Sequence, residues 1–447
     1  MTRLNRLKSS QGITLIALVV TIVILLILSG VTINMLLGEN GIIRTAQEAK
    51  NTWEDAITNE QEEIQNLVNE LNNIMNEEGG SGGEEPEDPN KGPNGKPLVE
   101  TATEIQTESN LEAEDEYGNP VTVPKGFKVV TSEATTVPEG IVIEDGTGTE
   151  TTTGNQFVWI PVGTVHKDSN PANDVTIKLG RYTFDETNGT PTMQQAAFAG
   201  DNESNPDQSY ASDPPVTIES RYQELTTYRE GTPSDGLDGL NATAKNLKAF
   251  VESVADNGGY YIARYEASYG GGSSTADWKP LSKVSTGTPR GSGQSSTPLT
   301  QGMLWNYVTQ LDASKISQNM YSAGDTTVGV ESDLVNSYAW DTAIVFIQSM
   351  NEANSNYANS GRDETGNTSL MNTGETGDKV CNIFDMAANV GEWTTEYSTR
   401  THSSFADPCT YRGGSYYYSD YYTAYRNSST AASSYTSFGF RVALYIK

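Results

Sequence analysis

Seven Tyr, six Ser, three Thr and three Ala, with one Asp, one Arg and one Asn, fill the 22 positions from Tyr416 to Ser437. The chemistry open to such a stretch is contact. Tyr gives rigid amphipathic area at low entropy cost and Ser and Asn give adaptable hydrogen bonds, the mixture antibody paratopes use. A run of exposed Tyr without a partner is a liability, which favours a ligand-binding face. Tyr416, Tyr417, Tyr418, Ser419, Asp420, Tyr421, Tyr422, Asn427, Ser428, Ser429, Ser434 and Tyr435 are the candidate contacts. Reactive types are sparse elsewhere. The two histidines, His166 and His402, stand in polar loop contexts, and the two cysteines, Cys381 and Cys409, suffice for one bridge but not for a disulfide scaffold.

The elements that must position this face belong to a long, acidic, polar chain. With 447 residues, at least two folded units plus linkers are expected. Lys and Arg number 28 against 58 Asp and Glu, a formal charge of −30. Glu48–Glu116 alone holds 20 acids and three bases, Lys50, Lys91 and Lys96. Such a surface repels phosphate backbones, so no nucleic-acid partner is expected. Strand-like runs at Phe127–Val130, Gly140–Ile143, Phe157–Val162 and Tyr260–Tyr265 are rich in β-branched and aromatic residues and bounded by turn formers. Helical spacing appears over Ala244–Ala255, Thr300–Leu311 and Trp340–Met350. Long Gly/Ser/Thr loops join them, giving an α+β domain over 121–447.

The N-terminus reads as an anchor. Arg3, Arg6 and Lys8 precede an apolar stretch from Ile13 to Leu37, with thirteen Ile, Leu or Val residues inside Ile13–Leu28. At about 1.5 Å rise per residue it can cross a hydrocarbon core of roughly 30 Å. The basic flank holds its N-terminal end in the cytoplasm and puts the rest of the chain outside. It is too long for a secretory signal peptide and lacks that signal's cleavage site. Trp53, Ile57, Ile64, Leu67, Leu71 and Ile74 prolong it as an amphipathic stalk, making 13–76 one transmembrane and stalk helix. The segment 77–120, opening on EEGGSGGEEPEDPNKGPNGKP, reads as a flexible acidic linker that cannot bury enough apolar surface to order itself.

KSSQGITLIALVV resembles the class III signal of type IV prepilins, a short basic leader ending in Gly before an apolar mature end. The resemblance implies a leader over 1–12, cleavage between Gly12 and Ile13, and prepilin peptidase and pilin subunits as partners. The family's usual Phe and Glu at the first and fifth mature positions are here Ile13 and Ala17, and that Glu is associated with docking into the filament.

CNIFDMAANVGEWTTE (381–396), YRGGSY (411–416) and FGFRVAL (438–444) look like the closing motifs of the formylglycine-generating-enzyme family, and FVWIPV and GGYYIARYEAS are similar to its earlier strands. The resemblance spans 121–447 and implies a variant of the C-type lectin fold, rich in irregular loop. Trp393 and Phe440 are then core aromatics, Gly413 and Gly414 allow close backbone approach, and Arg441 pairs with a carboxylate beneath the binding surface. Enzymes of this family that make formylglycine carry reactive cysteines between the RGGS and GFR motifs, and this chain has none there. Iron-dependent relatives need several histidines. No enzyme and neither iron nor copper is expected. The resemblance further implies a Cys381–Cys409 disulfide, closing a loop of about 30 residues and adding roughly 3–4 kcal/mol. It also offers a structural calcium ion held by Asn389 and Glu392, unless these two only cap a turn.

The stretch between those motifs also resembles the targets of diversity-generating retroelements, which mutate adenines in AAY codons near the end of C-type-lectin-fold proteins. Such codons yield Tyr, Ser, Thr, Ala, Asp and Asn, and apart from Arg426 every residue of Tyr416–Ser437 is one of these. The functional expectation is a membrane-anchored cell-surface receptor or adhesin whose partner is an extracellular protein or glycan. The alternatives are a minor pilin or pseudopilin head and, more remotely, a divergent formylglycine-generating or non-haem iron enzyme.

Overall fold

The computed structural model describes residues 88–149, 152–197, 222–223, 247–398, 401–402 and 405–447. The leader with Gly12 and Ile13, the helix expected over 13–76 and the start of the linker lie outside the described residues. Among the described residues no helix is long and apolar enough to cross a membrane.

The compact unit begins at Pro89, not at Val121. Residues assigned to a linker fold because their acids are used as acceptors. Strands β1 (Leu111–Glu114) and β2 (Pro120–Val123) form an antiparallel hairpin. Buried Glu114 takes hydrogen bonds from the Asn94 and Lys96 backbone and from Asn94 Nδ2. Buried Asp115 accepts from the backbone N–H groups of Tyr117, Asn119 and Val137. Acid content signals solvated chain only where the acids find no donors.

β3 (Phe127–Val129), β4 (Val142–Asp145), β5 (Gln156–Pro161), β6 (Gly259–Ala263), β7 (Val330–Leu334) and β12 (Val442–Ile446) build a six-stranded sheet in the order β7-β12-β6-β5-β4-β3. Every pairing in it is antiparallel. β5 and β6 are buried at every position, which is why they read as unbroken apolar runs. A second sheet runs Tyr222–Gln223, β8 (Gly391–Ser398), β9 (Cys409–Arg412), β10 (Arg426–Ser429), and β11 (Phe438–Phe440) joins β8 in parallel. Each closing motif therefore contributes one strand to this sheet, and FGFRVAL runs on into β12 of the first.

Helix α1 (Leu247–Asn257) buries Leu247, Phe250, Val251 and Val254 at three- and four-residue steps. It stops at Gly258, whose φ of 71° suits glycine and whose N–H returns to Val254 O at 2.9 Å. Helix α2 (Gln310–Gln318) replaces the helix expected over Thr300–Leu311. Thr309 caps it by accepting from Asp312 N, whereas Met303, Leu304, Trp305 and Val308 are buried in irregular chain. Their apolar spacing reported burial, not helix. Helix α3 (Ser337–Met350) starts on the Asn336 cap and is buried on nearly all sides.

Candidate binding face

Two buried charge clusters underlie the Tyr416–Ser437 stretch. In the first, α3 supplies Asp341, β8 supplies Glu396, β9 supplies Arg412 and β10 supplies Arg426. Arg426 Nη2 lies 2.8 Å from Asp341 Oδ2 and its Nε 3.0 Å from Glu396 Oε2. Arg412 also pairs with Asp341, and Arg181 pairs with Glu396. Burial alone would raise the Glu396 carboxyl, but Arg426, Arg181 and Arg412 outweigh it and hold it below the usual carboxylate range. Asp341 further accepts from Tyr182 N at 2.9 Å.

In the second cluster Arg441, following β11, faces Glu392 of β8 with two nitrogens, Nε at 2.7 Å from Oε2 and Nη2 against Oε1. This is the carboxylate partner the sequence reading assigns to Arg441. Glu266, Asp385 and Asp378 lie in the same interior. Burial raises all four carboxyls, Asp378 to about 7. The Asp378 carboxylate is met by Ala387 N at 2.7 Å and Tyr357 OH at 3.0 Å.

These contacts involve both residues expected to hold calcium. Both Glu392 oxygens are taken by a guanidinium, and the Asn389 side chain accepts from Met371 N and donates to Glu266. Asn389 has φ of 57° in a tight turn. Glu392, one of the two residues expected to hold calcium, is thus also the counter-ion of Arg441.

The expected disulfide is absent. No bond joins Cys381 and Cys409. Cys381 sits at the turn of a small hairpin with its thiol against Pro138 O, and burial pushes that thiol up to about 12. Cys409 lies inside the second sheet, opposite Tyr397 and Ser429. Motif proximity along the family pattern does not bring these two sulfurs together.

Above this base the chain is pinned at intervals and projects between pins. Gly414 N donates to Met386 O, and a Cβ on Gly414 would fall 2.0 Å from Ala387 O. Tyr416 N donates to Asn389 O, Thr423 N to Ser360 O and Ala424 N to Ala358 O. Trp340 Nε1 reaches Thr423 O at 3.0 Å. Between these points Tyr417, Tyr418, Ser419 and Asp420 are exposed, and so is Tyr435 farther along. Only four large hydrophobic side chains are exposed among the described residues. Three are Tyr417 (61%), Tyr435 (54%) and Tyr418 (40%).

A ring stack supports the exposed tips. Tyr418 stacks on Tyr421 at 4.4 Å and Tyr421 on Tyr425 at 4.1 Å, while the Tyr411 and Tyr421 hydroxyls lie 2.9 Å apart. Tyr417 meets Tyr418 edge-on at 4.8 Å. Burial raises the phenols of Tyr418, Tyr421, Tyr422 and Tyr425, so each stays neutral at ordinary pH.

The candidate contacts thus divide. Tyr416, Tyr422, Asn427, Ser429 and Ser434 are half-buried, and Tyr421 and Ser428 are buried. The two buried residues are corrections: Tyr421 is a pillar of the stack, and Ser428 pairs with Thr410 inside the sheet. Tyr425 was not singled out, yet it closes the stack; its position four residues after Tyr421 gave no helical or strand signal. Arg426 is locked to Asp341 and Glu396.

Comparison with known proteins gives the class. The family model for the sulfatase-modifying factor enzyme 1-like domain, FGE-sulfatase, matches residues 127–446, and this chain belongs to that family. Its C-type-lectin-like fold agrees with the motifs quoted above. Among solved structures the chain is similar to CarF at 16% identity and TM-score 0.22, over 28% of this chain and 50% of that one. This chain therefore spans about half of CarF. It is also similar to Treponema denticola variable protein 1 at 15% identity and TM-score 0.25, over 50% of this chain and 93% of that one. No curated protein matches it.

Proposed function

We propose that this chain is a cell-surface receptor or adhesin that binds an extracellular protein or glycan through the face tipped by Tyr417, Tyr418, Asp420 and Tyr435, and that it catalyses no reaction. The carrying observation is the concentration of exposed aromatic side chains on one stretch, above a stack and two buried charge clusters. Amphipathic tips held in place by rigid neighbours lose little entropy when a ligand covers them.

We further propose that this face is diversified by a retroelement. The support is that every exposed position of the stretch carries a residue type that AAY codons yield. Anchoring by residues 13–37 after a leader ending at Gly12 rests on the sequence pattern alone. The absence of cysteine between Tyr416 and Ser437 supports the non-catalytic reading.

The test is to sequence the codons for Tyr416–Ser437 and the flanking DNA in several isolates. Differences confined to adenine positions of a near-identical nearby copy, beside a reverse transcriptase gene, support diversification. Identical codons without a second copy overturn it and leave a fixed-specificity adhesin or a pilin head.

A further inference from the structure

A cavity of about 380 Å³ is walled by Tyr269, Trp278, Trp305 and Tyr307, with Arg290 and Asp312 as its charged groups. Its size falls in the range of small-ligand sites. Trp305 is the buried floor, met edge-on by Tyr269 at 5.2 Å and by Trp278 at 5.8 Å. Arg290 is almost fully buried, yet among the described residues no carboxylate stands within ion-pair distance of it. Its guanidinium lies 5.4 Å from the Tyr307 ring centroid, held by Asn306 Oδ1 at 3.2 Å, by Asn306 O and by Ser295 O at 3.4 Å. Those bonds use three of its five N–H donors, leaving two. A buried cation without a counter-ion is costly, and the planar fork suits a carboxylate. Asp312 keeps Oδ2 on Thr309 Oγ1 at 2.9 Å and offers only acceptors to the cavity, so it favours hydroxyl donors and disfavours a second anion.

We propose that this cavity binds a hydroxylated six-membered ring bearing one carboxylate, a sugar acid of the uronate class. The ring packs on the Trp278 and Trp305 walls, the carboxylate meets Arg290 and a ring hydroxyl donates to Asp312. The inference does not rest on the tyrosine face, although the wall touches that stretch where Tyr307 N donates to Tyr435 O and Asn306 Nδ2 to Thr436 O.

The experiment titrates the full chain with glucuronate, glucose and benzoate, following tryptophan fluorescence and heat of binding. Saturable glucuronate binding, at least about tenfold weaker for glucose and for benzoate, is expected. Trp278→Ala should weaken it about tenfold with the unfolding midpoint retained, and Arg290→Lys should erase the preference over glucose. Tyr417→Ala with Tyr418→Ala should leave it unchanged, which separates this site from the face. No saturation by about 10 mM glucuronate, equal binding of glucose or benzoate, or loss in the Tyr417/Tyr418 variant overturns the proposal.

Discussion

Within the last forty residues the chain makes two opposite uses of polar side chains. At Arg412, Arg426 and Arg441 charge is carried into the interior and matched, guanidinium to carboxylate, with Asp341, Glu396 and Glu392. At Tyr417, Tyr418, Ser419, Asp420 and Tyr435 side chains stand in solvent, Tyr417 edge-on to Tyr418, Tyr418 on Tyr421 and Tyr435 against Phe438. The lesson is that tolerance to change and need for precision are separated residue by residue here, not domain by domain. A face can vary only if nothing beneath it depends on which side chain it carries.

The sharpest break of that contrast is at the base. Arg441→Met strands Glu392 as an uncompensated buried acid and should cost about 3–5 kcal/mol in a denaturant titration. A loss below about 1 kcal/mol would mean that the pair does not lock the sheets.

Next comes pH. Asp378 is raised to about 7, so its neutral form is the one the fold prefers. The stability it contributes is whole below its ordinary pKa near 4 and disappears as pH climbs to 7. Asp378→Asn should therefore gain on the native chain between pH 4 and 8, on the order of 2–4 kcal/mol, then stay level. A gap independent of pH contradicts the raised carboxyl.

Gly414→Ala forces a Cβ against the Ala387 carbonyl and should cost about 2 kcal/mol or more, read from the thermal midpoint. At the face, single exchanges of Tyr417, Tyr418 or Tyr435 to Ser should each stay within about 0.5 kcal/mol. Smallest of all, a thiol reductant should leave the midpoint where it is, because no bond joins Cys381 and Cys409.

The contrast was half legible in the sequence. Composition alone pointed to Tyr416–Ser437 as a contact surface, and the β5 and β6 strands were plain because both faces are buried. Tyr421 and Ser428 look no different from Tyr417 and Ser429 in a row of letters; only the ring stack and the β9–β10 register bury them. The acids at Glu114 and Asp115 looked solvated because their donors lie up to 22 residues away, at Asn94 and Val137. The pairing of Glu392 with the Arg441 guanidinium was hidden for a related reason, the two lying 49 residues apart. The aromatic cavity gave no sequence signal, its walls being spread over an irregular stretch from Tyr269 to Asp312.

The most direct measurement compares two displayed libraries of the full chain, scored for correctly folded product. One randomises Tyr417, Tyr418, Ser419, Asp420 and Tyr435; the other randomises Arg412, Arg426 and Arg441. Most members of the first library should fold and most of the second should not. Comparable losses in both would contradict the separation of a variable face from a charge-locked base.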